Sequence, residues 1–167
     1  MADYTSSFSA VAVTAAQDVF EIVAHASSAV LIHDVKLGQY TDFGDTAAEI
    51  LSVIVHRGFT VAGSNGSANT PTPLRSNSRA AVSTVTTNNT TVANTGTSAV
   101  ILADTWNIAA GWSLRDTLSL PNSADRIGGL RGVILQPSER LVIRITAPAD
   151  SLTCNGTMVF EELGNIL

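Results

Sequence analysis

Apolar residues recur at every second position along most of this chain, and β-branched side chains fill many of those positions. A period of two suits a strand, whose successive side chains point to opposite faces, and does not suit a helix. Asp18 to Ala24 alternates in this way and, with Ala29 to Leu37 beyond Ala26-Ser27-Ser28, reads as a hairpin. Ile50 to Val55 is apolar at almost every position, as in a central strand covered on both faces. Further strands are predicted over Ala80 to Thr86, Ala99 to Trp106 and Trp112 to Leu120. Gly132 to Leu135 and Arg140 to Ala147 flank Gln136-Pro137-Ser138-Glu139, a turn in which proline presets φ. Asn155-Gly156 carries the sequence of a type I′ turn and predicts a hairpin pairing Cys154 with Thr157 and Leu152 with Val159. About seven to nine short strands with polar turns define an all-β chain, an antiparallel β-sandwich of jelly-roll type.

The 167 residues make one domain. An N-terminal arm is expected over about residues 1–10, and a long polar loop rich in Gly, Ser, Asn, Thr and Pro over about residues 62–79. Cys154 is the single cysteine, so no intrachain disulfide can form. The first residues lack the basic start and apolar stretch of a secretion signal, and the apolar run at Ile50 to Val55 is too short to cross a bilayer. A soluble chain made in a cytoplasm, with no membrane partner, is the expectation.

Charged residues are 14% of the chain against 45% hydrophobic ones, and the net charge is −5. Lys36 is the only lysine and the arginines are scattered, so direct binding to nucleic acid is not expected. An ordinary domain carries about 25% charged residues. A surface this poor in charge points to partner subunits that cover part of it. His25, His33 and His56 lack zinc-site spacing, and neither a metal nor a cofactor is expected. No Gly-x-Ser-x-Gly elbow occurs. The neighbouring carboxylates Glu161 and Glu162 should point to opposite faces of a strand, solvated or paired with Arg140 or Arg144, and not cooperate as an acid and base. The chain therefore reads as a non-enzyme. Trp106 and Trp112 suit a core or a subunit interface better than a sugar-stacking platform.

Several phrases taken together resemble a family of small, mostly uncharacterised structural proteins encoded by phages. They are Tyr4-Thr5-Ser6-Ser7-Phe8, Ala15 to Ile22, His56-Arg57-Gly58, Thr72-Pro73-Leu74, Ala147 to Thr153 and Gly156 to Glu162. The resemblance implies a virion location and a jelly-roll decoration or cement protein of the capsid. Such a protein would act as a symmetric homo-oligomer, a trimer in preference, and contact the major capsid protein or another virion protein. Tyr4 and Phe8 on the arm, Leu74 on the long loop, and Trp106 and Trp112 are the candidate assembly contacts. The alternative is a carbohydrate-binding jelly-roll module of a tail or head fibre, which would recognise a host-surface glycan through Trp106, Trp112 and Tyr40.

Overall fold

The computed structural model describes residues 2–39, 50–107, 109–117, 132–146, 148 and 152–164. In chain order the strands are β1 (Ala2–Val13), β2 (Gln17–Val23), β3 (Ala29–Gln39), β4 (Ile50–Arg57), β5 (Ser67–Asn69), β6 (Thr72–Pro73), β7 (Thr84–Asn89), β8 (Ala99–Asn107) and β9 (Trp112–Ser113). A single helical turn, α1 (Leu114–Thr117), precedes β10 (Val133–Leu135), β11 (Arg140–Ile145) and β12 (Leu152–Gly164). They form two antiparallel six-stranded sheets. Sheet one runs β10-β3-β12-β1-β6, with β9 also on β3, and sheet two runs β5-β7-β2-β11-β4-β8.

The pairing is that of a jelly roll. The first half of the chain lies antiparallel to the second: β1 with β12, β2 with β11, β3 with β10 and β4 with β8. This ribbon wraps so that β3 also meets β12, and β4 also meets β11, which completes each sheet. Alternate side chains then meet between the sheets. Phe20, Ile22, Val53, Val55, Ile143 and Ile145 of sheet two pack with Tyr4, Val30, Ile32, Val35, Met158 and Phe160 of sheet one.

The segments read as a hairpin over Asp18 to Leu37 are indeed strands, but they belong to different sheets. The turn between them, closed by Ser28 N–H donating to His25 O at 3.1 Å, is a corner of the sandwich. The Pro137 turn is likewise a corner, with Glu139 N–H donating to Gln136 O at 3.0 Å. Strand β4 is not covered on both faces: Leu51, Val53 and Val55 are buried whereas Ile50 is 66% exposed. Residues 2–10 do not form a free arm, because β1 is hydrogen-bonded to β12 along this stretch. The strand expected from Ala80 starts at Thr84. The one expected from Trp112 gives way after Ser113 to α1, and its last three residues lie outside the described residues. Within the long polar segment, β5 and β6 are brief additions to the edges of the two sheets, on β7 and β1.

Asn155-Gly156 is not a turn but the interior of β12. Its local preference yields to two tertiary contacts. Asn155 Oδ1 accepts the N–H of Ala10 at 2.8 Å. Ala10 lies in a bulge of β1 and has a φ of 54°. Gly156 sits opposite Phe8, whose ring crosses the space a side chain would fill and meets Phe20 with centroids 5.2 Å apart. A Cβ on Gly156 would fall 2.4 Å from Phe8 Cε1 and 2.9 Å from Phe20 Cε2.

Gly156→Ala is therefore expected to lower stability by about 1–3 kcal/mol, the usual effect of overpacking. A second change, Phe8→Leu, removes the clashing ring atoms, so the double variant should lose less than the sum of the two singles. Urea denaturation of the four proteins checks this.

Candidate functional site

Four of the five contact residues expected from the sequence are held inward. Tyr4 is fully buried, stacks on Phe160 with centroids 5.5 Å apart and donates its hydroxyl to Arg79 O at 3.1 Å. Trp106 and Trp112 lie in the core, and their indole N–H groups donate to Ala110 O at 2.6 Å and Asp104 Oδ2 at 3.0 Å. The Trp112 bond, followed by that from the Thr105 N–H, holds the Asp104 carboxyl below the usual carboxylate range. Phe8 is half-buried against the core. Leu74 alone is presented, at 56% exposure, with its N–H anchored on Asp3 O. Tyr40 lies outside the described residues.

The surface that stands out is the β8 edge of sheet two, which sequence reasoning missed. Ala99-Val100-Ile101-Leu102-Ala103 carries no charge. Among the described residues β8 pairs only with β4, along its full length. Ser52 exchanges bonds with Thr146 on β4's other side, which makes its partner Thr105 a pair without mutual hydrogen bonds. The N–H groups of Thr105 and, by alternation, Ala103 thus turn away from the sheet. Thr105's is capped by Asp104 Oδ1 at 2.8 Å. Val100, near one end of β8, is 57% exposed, and Ile50 is exposed at the opposite end of the β4–β8 pair. Two other edges are blunted by brevity, β5 with three residues and β6 with two. An apolar edge strand with no described neighbour on one side is a template for another chain.

The densest polar constellation lies on the outer face of sheet two. Residues 58–66 and 89–98 form a narrow ribbon, bridged at Val61–Asn94 and Ser64–Thr91, that lies over β2 and β11. Beneath it Arg144 forms two bonds to Asp18, Nε to Oδ1 at 2.6 Å and Nη2 to Oδ2 at 3.2 Å. Asp18 Oδ2 also accepts Ala93 N–H, and Arg144 donates to Ala93 O. Glu21 Oε2 accepts Gly63 N–H at 2.8 Å and the Asn89 amide at 3.1 Å, while Arg140 Nε stands 2.8 Å from Glu21 Oε1. Arg140 completes the set by donating to Phe59 O at 2.8 Å. These charges fasten the ribbon to the sheet and are engaged by backbone groups in doing so.

The arginines do not pair with the C-terminal carboxylates, contrary to expectation. Arg140 and Arg144 emerge on sheet two, whereas β12 belongs to sheet one. Glu161 and Glu162 do diverge. Glu162 is buried and accepts Val82 and Ser83 N–H, each at 2.8 Å, and Glu161 shares the outer face with His33.

Compared with protein-family models, curated proteins and solved structures, the chain matches none. Among the described residues no helix is long and apolar enough to cross a membrane.

Two expectations follow from the charged layer. Arg144→Ala leaves the buried Asp18 carboxylate without its cation, and removing one partner of such a pair costs about 3–5 kcal/mol. Chemical denaturation reads this directly. His56 lies against Phe59 and near Arg144, and burial first, then the Arg144 charge, lowers its pKa from 6.5. The folded state thus disfavours the imidazolium. The contribution is fully present above 6.5 and is lost as pH falls from there through the lower folded value. The wild type should therefore lose more stability than His56→Phe between about pH 7 and pH 5. Equal losses in the two proteins would contradict this assignment.

Proposed function

We propose that this chain is a structural protein of a bacteriophage particle, a decoration or cement protein that acts as a symmetric homo-oligomer and reinforces the head. The observation that carries the reading is the apolar edge at β8, which has no second neighbour among the described residues and exposes Val100, on a jelly roll whose chain is only 14% charged. Jelly rolls recur in capsid proteins and in lectins, so the fold narrows the class without naming the partner. The sequence resemblance to phage structural proteins supports the first of these. The glycan-binding alternative is weakened, because Trp106 and Trp112 are committed to the core.

On this reading the β8 edge contacts a neighbouring subunit, and the exposed Leu74 segment faces the major capsid protein or another virion protein. A trimer is the favoured oligomer. Electron microscopy of particles with and without the protein tests the reading. Ordered density at symmetric positions on the head supports it, and its absence from purified particles sinks it.

Sedimentation of the isolated protein tests the contact. Val100→Asp buries an unpaired carboxylate in any interface formed by this edge, at a cost of several kcal/mol. It should raise the dissociation constant of the oligomer at least about tenfold, equivalent to 1.4 kcal/mol or more. An oligomer unaffected by Val100→Asp would place its interface elsewhere.

A further inference from the structure

The outer face of sheet one gathers three metal-ligating side chains from three neighbouring strands: Asp3 on β1, Glu161 on β12 and His33 on β3. We propose that they form a binding site for a divalent borderline transition metal of the zinc class. The inference does not depend on the assembly reading.

The first support is register. Asp3 and Glu161 are direct cross-strand partners, and two like charges in that position repel unless something positive lies between them. The second is the backbone of β3. Val159 pairs with Asp34 and Phe160 with Ile32, so His33 is the extra residue of a bulge. Bulges re-aim side chains, and here the imidazole Nε2 reaches 3.4 Å from Glu161 Oε2. A tetrahedral zinc with bonds of about 2.1 Å keeps its ligands about 3.4 Å apart. One ligand atom from each residue lies within 4.8 Å of the others, so modest side-chain adjustment suffices.

The third support is the unused bonding capacity of these carboxylates. Asp18, Glu21, Asp34, Asp104, Glu139 and Glu162 all accept hydrogen bonds. Among the described residues Asp3, Glu161 and the exposed Asp116 accept none, and of these Glu161 is only 13% exposed at its side chain. Arg75 stands 3.9 Å from Asp3 and is 74% exposed, a weak contact that a metal can replace. One imidazole with two carboxylates selects zinc-like ions over calcium or magnesium, which prefer all-oxygen shells. Three protein donors leave a coordination position for water or a further ligand. The spacing of the histidines along the chain gives no expectation of a site; this cluster arises only when strands from both ends of the chain pair.

Isothermal titration of metal-free protein with zinc chloride tests the proposal, with cobalt absorption reporting the coordination geometry. One zinc per chain is expected. His33→Ala and Glu161→Gln should each weaken binding at least about tenfold, while His25→Ala, at an exposed corner, leaves it unchanged. None of the three positions is in the core, and circular dichroism verifies that the variants fold. No saturable binding up to about 1 mM zinc, or binding that survives both His33→Ala and Glu161→Gln, overturns the site.

Discussion

Strand β12 is the element on which the rest of the molecule depends, because it is hydrogen-bonded on both sides to strands from the other end of the chain. Cys154 pairs with Val11 on one side and Gln39 on the other, and Phe160 lies between Tyr4 and Ile32. Without it β1 and β3 have no common neighbour, and the inward row of Tyr4, Val35 and Leu37 has nothing to pack beside. Such pairing brings distant residues together before any local contact rewards the closure, a feature of slow-folding β topologies. Gly156 and Asn155 belong to this constraint. One admits the Phe8 ring and the other satisfies the bulge amide of Ala10.

That dependence explains what could and could not be read along the chain. The alternation around Phe20, Val30 and Ile143 reports which segments are strands and which side faces the core, since both follow from the pleat. Pairing is different. A short polar turn joins two strands of one sheet, or turns a corner between two sheets, with much the same residues. Ala26-Ser27-Ser28 has the composition of a hairpin turn and serves as a corner. Asn-Gly signalled a turn because turn preference is local, whereas the ring that excludes a side chain at Gly156 comes from the far end of the sequence. The β8 edge was hidden for a related reason. Its residues mark a strand, and only the strand order reveals that one side of it has no described neighbour.

The two outer faces of the sandwich are used differently. Sheet two is roofed by the ribbon over Asp18, Glu21, Arg140 and Arg144. Partners such as Asp18 and Arg144 are 126 residues apart, a separation that no spacing rule detects. Sheet one leaves Asp3, His33 and Glu161 partly accessible on its outer face. The paired arginines are held by geometry and the ribbon's backbone, while the carboxylates opposed across β1 and β12 retain bonding capacity. Asp3, His33 and Glu161 stand on three strands, where no spacing rule along the sequence joins them.

Several of the chain's few charges are not available to a partner. Asp18, Glu21 and Glu162 are buried, and Arg140 and Arg144 are largely covered beneath the ribbon. Of the cations that remain in described positions, Lys36, Arg57, Arg75 and Arg79 each stand within 4 Å of a carboxylate on the same chain, and Arg115 stands exposed. An exposed ion pair to another molecule contributes only about 0–1 kcal/mol and weakens with salt. Buried apolar area contributes about 25 cal/mol per Å² before association costs, so a few hundred Å² along β8 outweigh several such pairs. On the proposed assembly through β8, recognition would rest on shape and apolar contact more than on charge, and attachment would be insensitive to ionic strength.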